Sequence, residues 1–435
     1  MNILTLILID VILLVVMLML SIPLPVCFTG ALLFLSLFGD VSMKTMLVWV
    51  FMQSTGTVLL ASPLFILAGT YMGGSGIAKR LLDFVDSMVG HIRSGLGVVS
   101  IIVCAIMGAI SGSGFTGVAA TGPIMIPKME EQGYPRGYAT ALVTVSSVLG
   151  LLIPPSVVMV MFGWVTETSI AACFLSTLGP GLVITFLFCV LHVIMSRKFD
   201  LKVAERKPTG EYFKGIGHTG FSAIPALMMP LIILGGIYGG IFTATEAAAV
   251  AGIYAIPVGI FIYKSCKFKD FLRMTKEASS TLGSIMVMII CCLMLSRVFT
   301  IYRVPGMVLE LFTSISDNKY VLLFIVDIFL FFVGMIVNDT TGVLICAPLL
   351  MPLMTSLGIH PVHFAAIMGV NLAMGGVTPP YASILYLGMR IGKAEFTDML
   401  KPVLTFLIFG YVPVVFLVTY FPPLALAIPQ ALGLI

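Results

Sequence analysis

Long apolar runs separated by short polar segments make up most of the chain. They cover residues 3–38, with a break at Pro23 and Pro25, and then about 48–72, 170–196, 220–238 and 243–263. A membrane helix needs about 20 apolar residues, so the whole chain is predicted to hold roughly ten to twelve membrane segments. Strand-like alternation is scarce, and backbone groups in lipid must bond within the protein, so these segments are predicted to be helices.

Two segments have an amphipathic pattern in place of a uniformly apolar one. In the segment 77–93, Ile77, Leu81 and Val85 share a face opposite Lys79 and Asp83. A counterpart at 304–316 stands at the equivalent place in the second half of the chain. Both are predicted to be helices that lie along the membrane surface.

One polar and proline-broken pattern occurs twice. A shift of 225 positions without a gap aligns the segment from Ser113 to Gly163 with the segment from Asn338 to Gly388. Most matched residues are Gly, Pro or Thr, as in Gly117/Gly342, Gly150/Gly375 and Pro155/Pro380. Since these residues shape the backbone, the repeated feature is a backbone arrangement. Two such broken apolar segments point to the binding site of a transporter.

Each copy is predicted to contain a hairpin and a broken helix. The hairpins, at about 106–130 and 332–356, are interrupted by SGSGFTG and NDTTG, which suits a re-entrant hairpin with a polar tip at mid-membrane. The broken helices, at about 138–163 and 363–388, contain GLLIPP and GGVTPP. Paired prolines cannot donate hydrogen bonds and disfavour helix before them, so the helix unwinds there. Unwound backbone in a membrane lines a cavity or is buried in protein.

The composition excludes a water-soluble protein. Hydrophobic residues make up 59% of the chain and charged residues 10%, with a mean hydropathy of +1.14. The net charge of +4 comes mainly from loops, so it indicates topology and not nucleic-acid binding. The cysteines lie mostly in apolar runs without CxxC spacing, which indicates neither disulfides nor a zinc site.

The distribution of basic residues predicts opposite orientations for the two copies. The connections at 197–219 and 264–276 are rich in Lys and Arg and are predicted to be cytoplasmic. The turn of the first hairpin holds Lys128 and Arg136, whereas 320–389 contains no Lys or Arg. The first hairpin is therefore predicted to open to the cytoplasm and the second to the outside, which makes an inverted repeat.

Carbonyls at a helix break and a hydroxyl at a hairpin tip form a neutral set of oxygen ligands that suits sodium, while half-helix N-termini suit an anion. The predicted sodium ligands are Ser111, Ser113, Gly150, Ile153 and Pro155 in the first copy and Asn338, Thr341, Gly375, Thr378 and Pro380 in the second. The predicted substrate contacts are Thr116, Ser146, Ser147, Asp339, Thr340 and Asn371. Two similar sets predict two or more sodium ions and no other cofactor. Helix packing is the alternative role for each residue.

For the other polar residues, the surrounding sequence gives less evidence of a functional role. Asp339 is an intramembrane acid and therefore a functional candidate, and proton coupling and cation coupling both stay open as its role. An interhelical or helix-end hydrogen bond is the expected role of Asp10 and Asp327, and Glu246 raises the same question. His360 and His363 flank the turn of the second hairpin and are predicted to lie in a solvated loop rather than to bind metal. HExxH, Walker and GxSxG motifs are absent from the sequence, so no enzyme activity is predicted.

These elements divide the chain into six parts. The predicted parts are N-terminal scaffold helices with a first arm helix (1–93), a first transport core (94–196), a cytoplasmic linker (197–219), further scaffold helices with a second arm helix (220–319), a second transport core (320–396) and a C-terminal helical region (397–435).

At these motifs the chain resembles the large membrane subunit (DctM-like) of tripartite ATP-independent periplasmic (TRAP) transporters. The resemblance rests on GAISGSG, GPIMIPKMEEQGYPRGYATA, LLIPPS, GIFTATEAAAVAG and the NDTTG and GGVTPP pair, and it covers nearly the whole chain. It implies an all-α polytopic protein of the bacterial inner membrane that imports organic acids with sodium by an elevator movement. It also implies a separate small four-helix membrane subunit (DctQ-like) and a periplasmic substrate-binding protein (DctP-like).

Two other functions stay open at this point. One is a stand-alone sodium or proton symporter that needs no binding protein. The other is a scaffold or intramembrane enzyme that transports nothing. The substrate also stays open, because sialic acid and C4-dicarboxylates are both compatible with Ser, Thr and Asn contacts and with helix N-termini.

Overall fold

The computed structural model describes residues 3–20, 22–90, 92–202, 209–379 and 382–435, and helices dominate all of these ranges. The helices of the first half are α1 (Ile3–Met19), α2 (Leu24–Phe38), α3 (Met43–Ser54), α4 (Ala61–Gly74), α5 (Ile77–Val89), α6 (Gly95–Ser111), α7 (Gly114–Gln132), α8 (Arg136–Ser147), α9 (Leu149–Leu152), α10 (Val157–Val165) and α11 (Ile170–Ser196).

The second half continues with another series of helices. They are α12 (Thr209–Tyr238), α13 (Ala244–Pro257), α14 (Phe268–Ile301), α15 (Val304–Ile315), α16 (Lys319–Ile336), α17 (Asp339–Ser356), α18 (Pro361–Gly375), α19 (Ser383–Gly392), α20 (Phe396–Phe406), α21 (Val412–Tyr420) and α22 (Pro423–Ala431). A π-helical turn extends α13, and another joins α20 to α21. Within the described ranges, nine helical segments are long and apolar enough to cross a membrane.

The predicted span at 48–72 is confirmed in part, since an apolar span runs from Thr57 to Gly74, but the helix is interrupted inside the predicted range. Helix α3 ends at Ser54, and α4 begins only after Gly56 and a 3-10 turn at Thr57–Leu60. The hydroxyl of Ser54 donates to the carbonyl of Val50, and that of Thr55 donates to Met52. Hydroxyls that bond to nearby carbonyls compete with the helix, and Gly56 is extended there.

The predicted linker and the second basic connection are partly helical. Helix α12 begins at Thr209, inside the segment 197–219, and α14 begins at Phe268, inside 264–276. The carboxylate of Asp270 accepts from the backbone N–H of Lys267 at 2.8 Å and caps the start of α14. Helix α14 runs for 34 residues, so basic residues and a membrane-length apolar run share one helix.

The amphipathic segments form helices of their own. Helix α5 buries Ile77, Leu81 and Val85 and packs against α6 and α12. Helix α15 packs against α17 and α14 and buries Val304 and Phe312. Each helix therefore lies between an arm of a hairpin and a helix from outside the repeats.

Equivalent residues make close packing contacts inside each copy of the repeat. In the first, a Cβ atom on Gly117 would lie 3.1 Å from the Cβ of Ser147. In the second, a Cβ on Gly342 would lie 2.9 Å from Leu372, and both partners are shifted by the same 225 positions. The arm of each hairpin also meets its broken helix glycine to glycine, at Gly108 and Gly150 and at Gly334 and Gly375.

A tight seam of small residues joins the two copies, in addition to the packing of α19 on α7 and of α10 on α17. Gly388 and Gly392 on α19 pack directly against the side chains of Thr144 and Thr140 on α8, leaving no space for a side chain. Close approach of helices through small residues is typical of membrane proteins. Arg136 adds a bond from its Nε to the carbonyl of Gly392 at 2.6 Å, and its Nη1 pairs with Glu130 at 2.7 Å.

Candidate functional site

The first hairpin closes through a single glycine. Helix α6 ends at Ser111, and Gly112 follows with φ 63°, a left-handed conformation that favours glycine. Ser113 then precedes α7 in an extended conformation. A Cβ atom on Gly112 would lie 2.9 Å from the carbonyl oxygen of Pro155, so the tip of the hairpin touches the break in the adjacent helix.

Two prolines open the first broken helix between α9 and α10. Pro154 and Pro155 have no N–H groups, so the carbonyls of Gly150 and Leu151 lose their helical donors. The hydroxyl of Ser156 replaces one of them by donating to Leu151 at 2.6 Å. The carbonyl of Gly150 gains no such hydroxyl within the described ranges, which leaves it as a candidate ion ligand.

Most of the predicted first sodium set is gathered at this junction. The hydroxyl of Ser111 lies 3.3 Å from the carbonyl oxygen of Ser113, and a Cβ on Gly150 would lie 3.3 Å from the same oxygen. The carbonyl oxygen of Pro155 lies next to Gly112 at the tip, and Ile153 is extended at the start of the break. The backbone N–H of Val157 also donates to the Gly112 carbonyl at 3.3 Å.

The second hairpin closes without a left-handed residue. Helix α16 ends at Ile336, and Val337 after it is extended. Asn338 caps α17 by accepting from the N–H of Thr340 at 3.0 Å. The carboxylate of Asp339 accepts from the same N–H at 2.9 Å. A negative charge in the first turn of a helix is favourable, which accounts for an acid at this tip.

The predicted second sodium set is less compact. The carbonyls of Gly375 and Gly376 accept from the N–H groups of Thr378 and Ile384, at 3.0 and 3.2 Å. The hydroxyl of Thr378 donates to Met374, and that of Thr341 contacts the sulfur of Met288 on α14. Pro380 lies outside the described residues. Of this set, Asn338 reaches the cavity between the tips.

A small cavity lies between the two tips. It has a volume of about 70 Å³, and its polar lining comes from Ser62, Ser113, Asn338, Asp339 and Thr340. Apolar residues of α4, α7, α10 and α14 form the other walls, among them Ile66, Phe115, Val157 and Met288. The volume is enough for ions and a few waters and too small for a whole organic acid, because ligand pockets usually exceed about 300 Å³.

Two of the predicted substrate residues, Asp339 and Thr340, line this cavity, and the other four lie elsewhere. Thr116 is half-buried on α7, and Ser146 is buried on α8 with its hydroxyl unpaired among the described residues. Ser147 packs on Gly117 and donates to Thr144 at 2.7 Å. Asn371 donates to the carboxylate of Asp327 at 2.9 Å and is therefore turned toward α16.

Ser62 is a lining residue that the sequence did not single out. Its hydroxyl is buried and unpaired within the part of the chain that the structure describes. It lies on α4, which approaches the first tip so closely that a Cβ on Gly69 would lie 2.6 Å from Ser111. The available signal was a serine beside Pro63 in an otherwise apolar segment.

The remaining acids differ in their surroundings. Asp327 accepts from Asn371 and from Thr419, so the predicted interhelical hydrogen bond is confirmed. Asp10 is buried, and both of its carboxylate oxygens are unpaired in the described ranges, so the same prediction is wrong for this residue. Glu246 forms a reciprocal cap with Thr243 at the start of α13.

The predicted solvated loop is confirmed for His360, which is exposed in the turn, and is wrong for His363. His360 caps α18 by accepting from the N–H of Val362 at 3.2 Å. His363 is one turn further, with 1% of its surface exposed, and its Nε2 lies 2.8 Å from the carbonyl of Val418. Helix α18 begins at Pro361, immediately after the turn, and this draws His363 into the protein.

Comparison with known proteins identifies clear relatives. The family described as "Tripartite ATP-independent periplasmic transporter, DctM component" matches residues 11–424. The C4-dicarboxylate TRAP transporter large permease protein DctM of Pseudomonas aeruginosa is 34% identical over 406 residues, covering 93% of this chain and 94% of that protein. The sialic acid TRAP transporter large permease protein SiaM of Vibrio cholerae is 33% identical over 372 residues, covering 86% of each.

A solved structure shares the fold. The YdaH transporter of Alcanivorax borkumensis superposes with a TM-score of 0.56 and 16% identity, over 89% of this chain and 91% of that one. At this identity the likeness concerns the arrangement of helices alone. It agrees with the predicted all-helical membrane fold.

Proposed function

The chain belongs to the DctM component family of tripartite ATP-independent periplasmic transporters, and we propose that it imports an organic acid anion together with sodium. As a large permease of this family it is a transporter subunit and a multi-pass protein of the inner membrane, as the sequence predicted. The coupling ion, the substrate and the movement are the parts that we propose.

The observation that carries the proposal is the meeting of two helix N-termini at one cavity. Helices α7 and α17 both begin at its wall, through Ser113 and Asn338. Helix N-termini favour anions, and the first turn of α7 carries no acidic residue that would occupy this role. The substrate carboxylate is therefore expected at the start of α7.

The charges at the same cavity support the proposed sodium coupling. Asp339 places a carboxylate where an organic anion has to bind, and like charges at short distance repel. A cation bound beside Asp339 removes that repulsion, so the anion binds better when sodium is present. The oxygen atoms at Ser111, Ser113 and Gly150 offer a second, neutral position for a hard cation.

The substrate class follows from the relatives. Those of P. aeruginosa and V. cholerae are named for C4-dicarboxylates and for sialic acid, which are carboxylic acids of different size. We infer an acid of this class for the chain. Because the cavity is smaller than these acids, binding requires the hairpin tips to separate from α4 and α14.

The proposed movement is that of an elevator. The seam between α8 and α19 and the glycine contacts inside each copy support movement of both hairpins and both broken helices as one body. Helices α5 and α15 would act as arms between that body and a scaffold. The proposed partners are a small membrane subunit that extends the scaffold and a periplasmic protein that delivers the substrate.

Reconstituted transport tests the proposal. The chain and its small subunit are placed in proteoliposomes, and uptake of radiolabelled sialic acid and of succinate is measured separately. Binding protein and an inward sodium gradient are each supplied or omitted. Uptake that requires both is the expected result. Uptake that is indifferent to sodium contradicts the coupling, and uptake without binding protein supports a stand-alone symporter.

A further inference from the structure

A groove lies between the two copies of the repeat, apart from the small cavity. It has a volume of about 690 Å³, and its walls come from the end of α10 in the first copy and from α17 in the second. The lining is apolar at Pro348, Met351 and Pro352 and polar at Thr166, Glu167, Thr355 and Ser356. The second hairpin is predicted to open to the outside, so the groove is expected on the outer side of the membrane.

The repeat provides the same place on the opposite side, and there it is filled. The shift of 225 positions relates the pair α10 and α17 to the pair α19 and α7, which also pack against each other. On that side, Arg136 donates from Nε to the carbonyl of Gly392 at 2.6 Å and pairs through Nη1 with Glu130 at 2.7 Å. Ile391 adds an apolar contact, because a Cβ on Gly122 would lie 3.0 Å from its side chain. An internal guanidinium therefore bridges the end of α19 to α7.

Two substitutions explain why the groove stays open in the other pair of helices. Arg136 corresponds to Pro361, whose ring is too short to reach across to the end of α10. Ile391 corresponds to Thr166, which is shorter and polar. The bridging cation and the apolar contact are thus both missing from the groove, although the two helix pairs have the same arrangement.

The groove carries negative charge, and its own walls supply no cation. Gly392 corresponds to Glu167, so an exposed carboxylate stands where the opposite side offers a backbone carbonyl. Helices α10 and α17 both end at the groove, and the C-terminus of a helix carries partial negative charge. The sequence contains no Lys or Arg at 137–196 or at 320–389. The ion pairs of the described residues are formed elsewhere, by Arg136 and Arg273.

The hydroxyl groups of the groove can only accept a further hydrogen bond. Those of Thr166, Thr355 and Ser356 donate to backbone carbonyls of their own helices, at 2.7, 2.9 and 2.7 Å. A hydroxyl has a single hydrogen, so what these groups offer to an occupant is the lone pairs of their oxygens. Arg and Lys have donors and no acceptor, and their methylene stems pack well on apolar surface such as that of Pro348 and Pro352.

We propose that this groove binds an arginine or lysine side chain of the periplasmic protein that delivers the substrate, as Arg136 occupies the equivalent place on the opposite side. The proposal rests on the partner named in the proposed function. A protein side chain suits the groove better than a free ion, because the apolar walls match its stem and the single carboxylate matches its charge. The docked side chain joins α17 to the end of α10, so the delivering protein holds the two copies together on the outer side.

Direct binding tests the groove. The full chain with its small subunit is placed in nanodiscs, and the Kd for its periplasmic binding protein is measured by biolayer interferometry. Glu167→Gln should raise the Kd by about tenfold, because one hydrogen bond between charged groups is lost. Asp317→Asn, at an exposed acid just before α16, is the matched control and should leave the Kd near that of the wild type.

An internal cation provides a second test. Pro361→Arg places a guanidinium at the position equivalent to Arg136, where it can pair with Glu167. The Kd should rise by a similar factor, because the groove is then occupied from within. Pro361→Ala removes the same proline without adding a cation and should keep the wild-type Kd. Glu167→Lys should in turn bind a variant of the binding protein in which the docking Arg or Lys is replaced by Glu.

Uptake separates this inference from the proposed function. In proteoliposomes, Glu167→Gln should need about tenfold more binding protein for half-maximal uptake and should reach the wild-type rate at saturation. A wild type that neither binds nor needs the binding protein contradicts the proposed function itself. Wild-type binding that Glu167→Gln and Pro361→Arg both leave unchanged overturns the groove alone. An unchanged Kd with an altered oligomeric state of Glu167→Gln, measured by light scattering, also overturns it and makes the groove a contact between two copies of the chain.

Discussion

The two hairpin tips share a backbone plan and differ in chemistry. By the repeat, Gly112 corresponds to Val337 and Gly114 to Asp339. The first tip turns through a left-handed glycine and is uncharged, whereas the second is extended and carries a carboxylate. The two tips therefore occupy equivalent places in the repeat, but the first is neutral and the second is negatively charged.

The difference extends to the helix N-termini and to the breaks. Asn338 and Asp339 both accept from the N–H of Thr340, so side chains already cap the N-terminus of α17. Ser113 makes no such side-chain bond to α7 among the described residues. At the first break, the hydroxyl of Ser156 donates to the carbonyl of Leu151, whereas the carbonyl of Gly150 accepts from no side-chain hydroxyl of the described residues. Under the proposed function, the anion would bind at the start of α7 in the first copy, and a cation would bind beside Asp339 in the second.

Removal of the charge from the second tip should have the largest effect. Asp339→Asn keeps an acceptor for the N–H of Thr340, so the helix start is preserved. Loss of a contact with a charged group is worth about 1.5–3 kcal/mol, which corresponds to a rise of about 10- to 100-fold in the sodium concentration for half-maximal uptake. The matched variant Asn338→Ala should cause a change of about fivefold. An unchanged sodium dependence in Asp339→Asn would remove the cation role from the second tip.

The second-largest effect on uptake should come from a methyl group added at the turn, and it should differ between the two tips. Gly112→Ala forces a side chain into a left-handed conformation, which costs about 1–2 kcal/mol, and brings it against Pro155. Uptake at limiting sodium should fall by about tenfold. Val337→Ala, at the equivalent position, is extended and should stay near the wild type. Equal effects of the two variants, measured in the same proteoliposomes, would mean that the turns are interchangeable.

The smallest effect should come from the hydroxyls at the breaks, measured by thermal unfolding in detergent. Ser156→Ala leaves the carbonyl of Leu151 without a donor, at about 1–3 kcal/mol, and should lower the midpoint by about 1–3 °C in a chain of this length. Thr378→Val leaves the carbonyl of Met374 with the N–H of Val377 at 3.2 Å, so its midpoint should hardly change. A larger shift in Thr378→Val than in Ser156→Ala would mean that the second break depends on its hydroxyl more than the first does.

The sequence predicted the places of the tips and breaks, because these depend on local chemistry. Paired prolines remove donors wherever they occur, and α9 and α18 end beside them as expected. The directions of side chains were not predictable in the same way. Thr341 faces Met288 and Asn371 faces Asp327, since distant helices pack on those sides. The break after Ser54 and the burial of His363 likewise depend on partners that the local pattern does not contain.

The seam between α8 and α19 bears on how such a protein can evolve. Gly388 and Gly392 form a trough in one copy that the threonines of the other fill, and Arg136 reaches across to close it. A larger residue on either side would have to be matched by a smaller one in the other copy. At this seam the two copies are packed as one unit, so the residues tolerated in one copy depend on those present in the other.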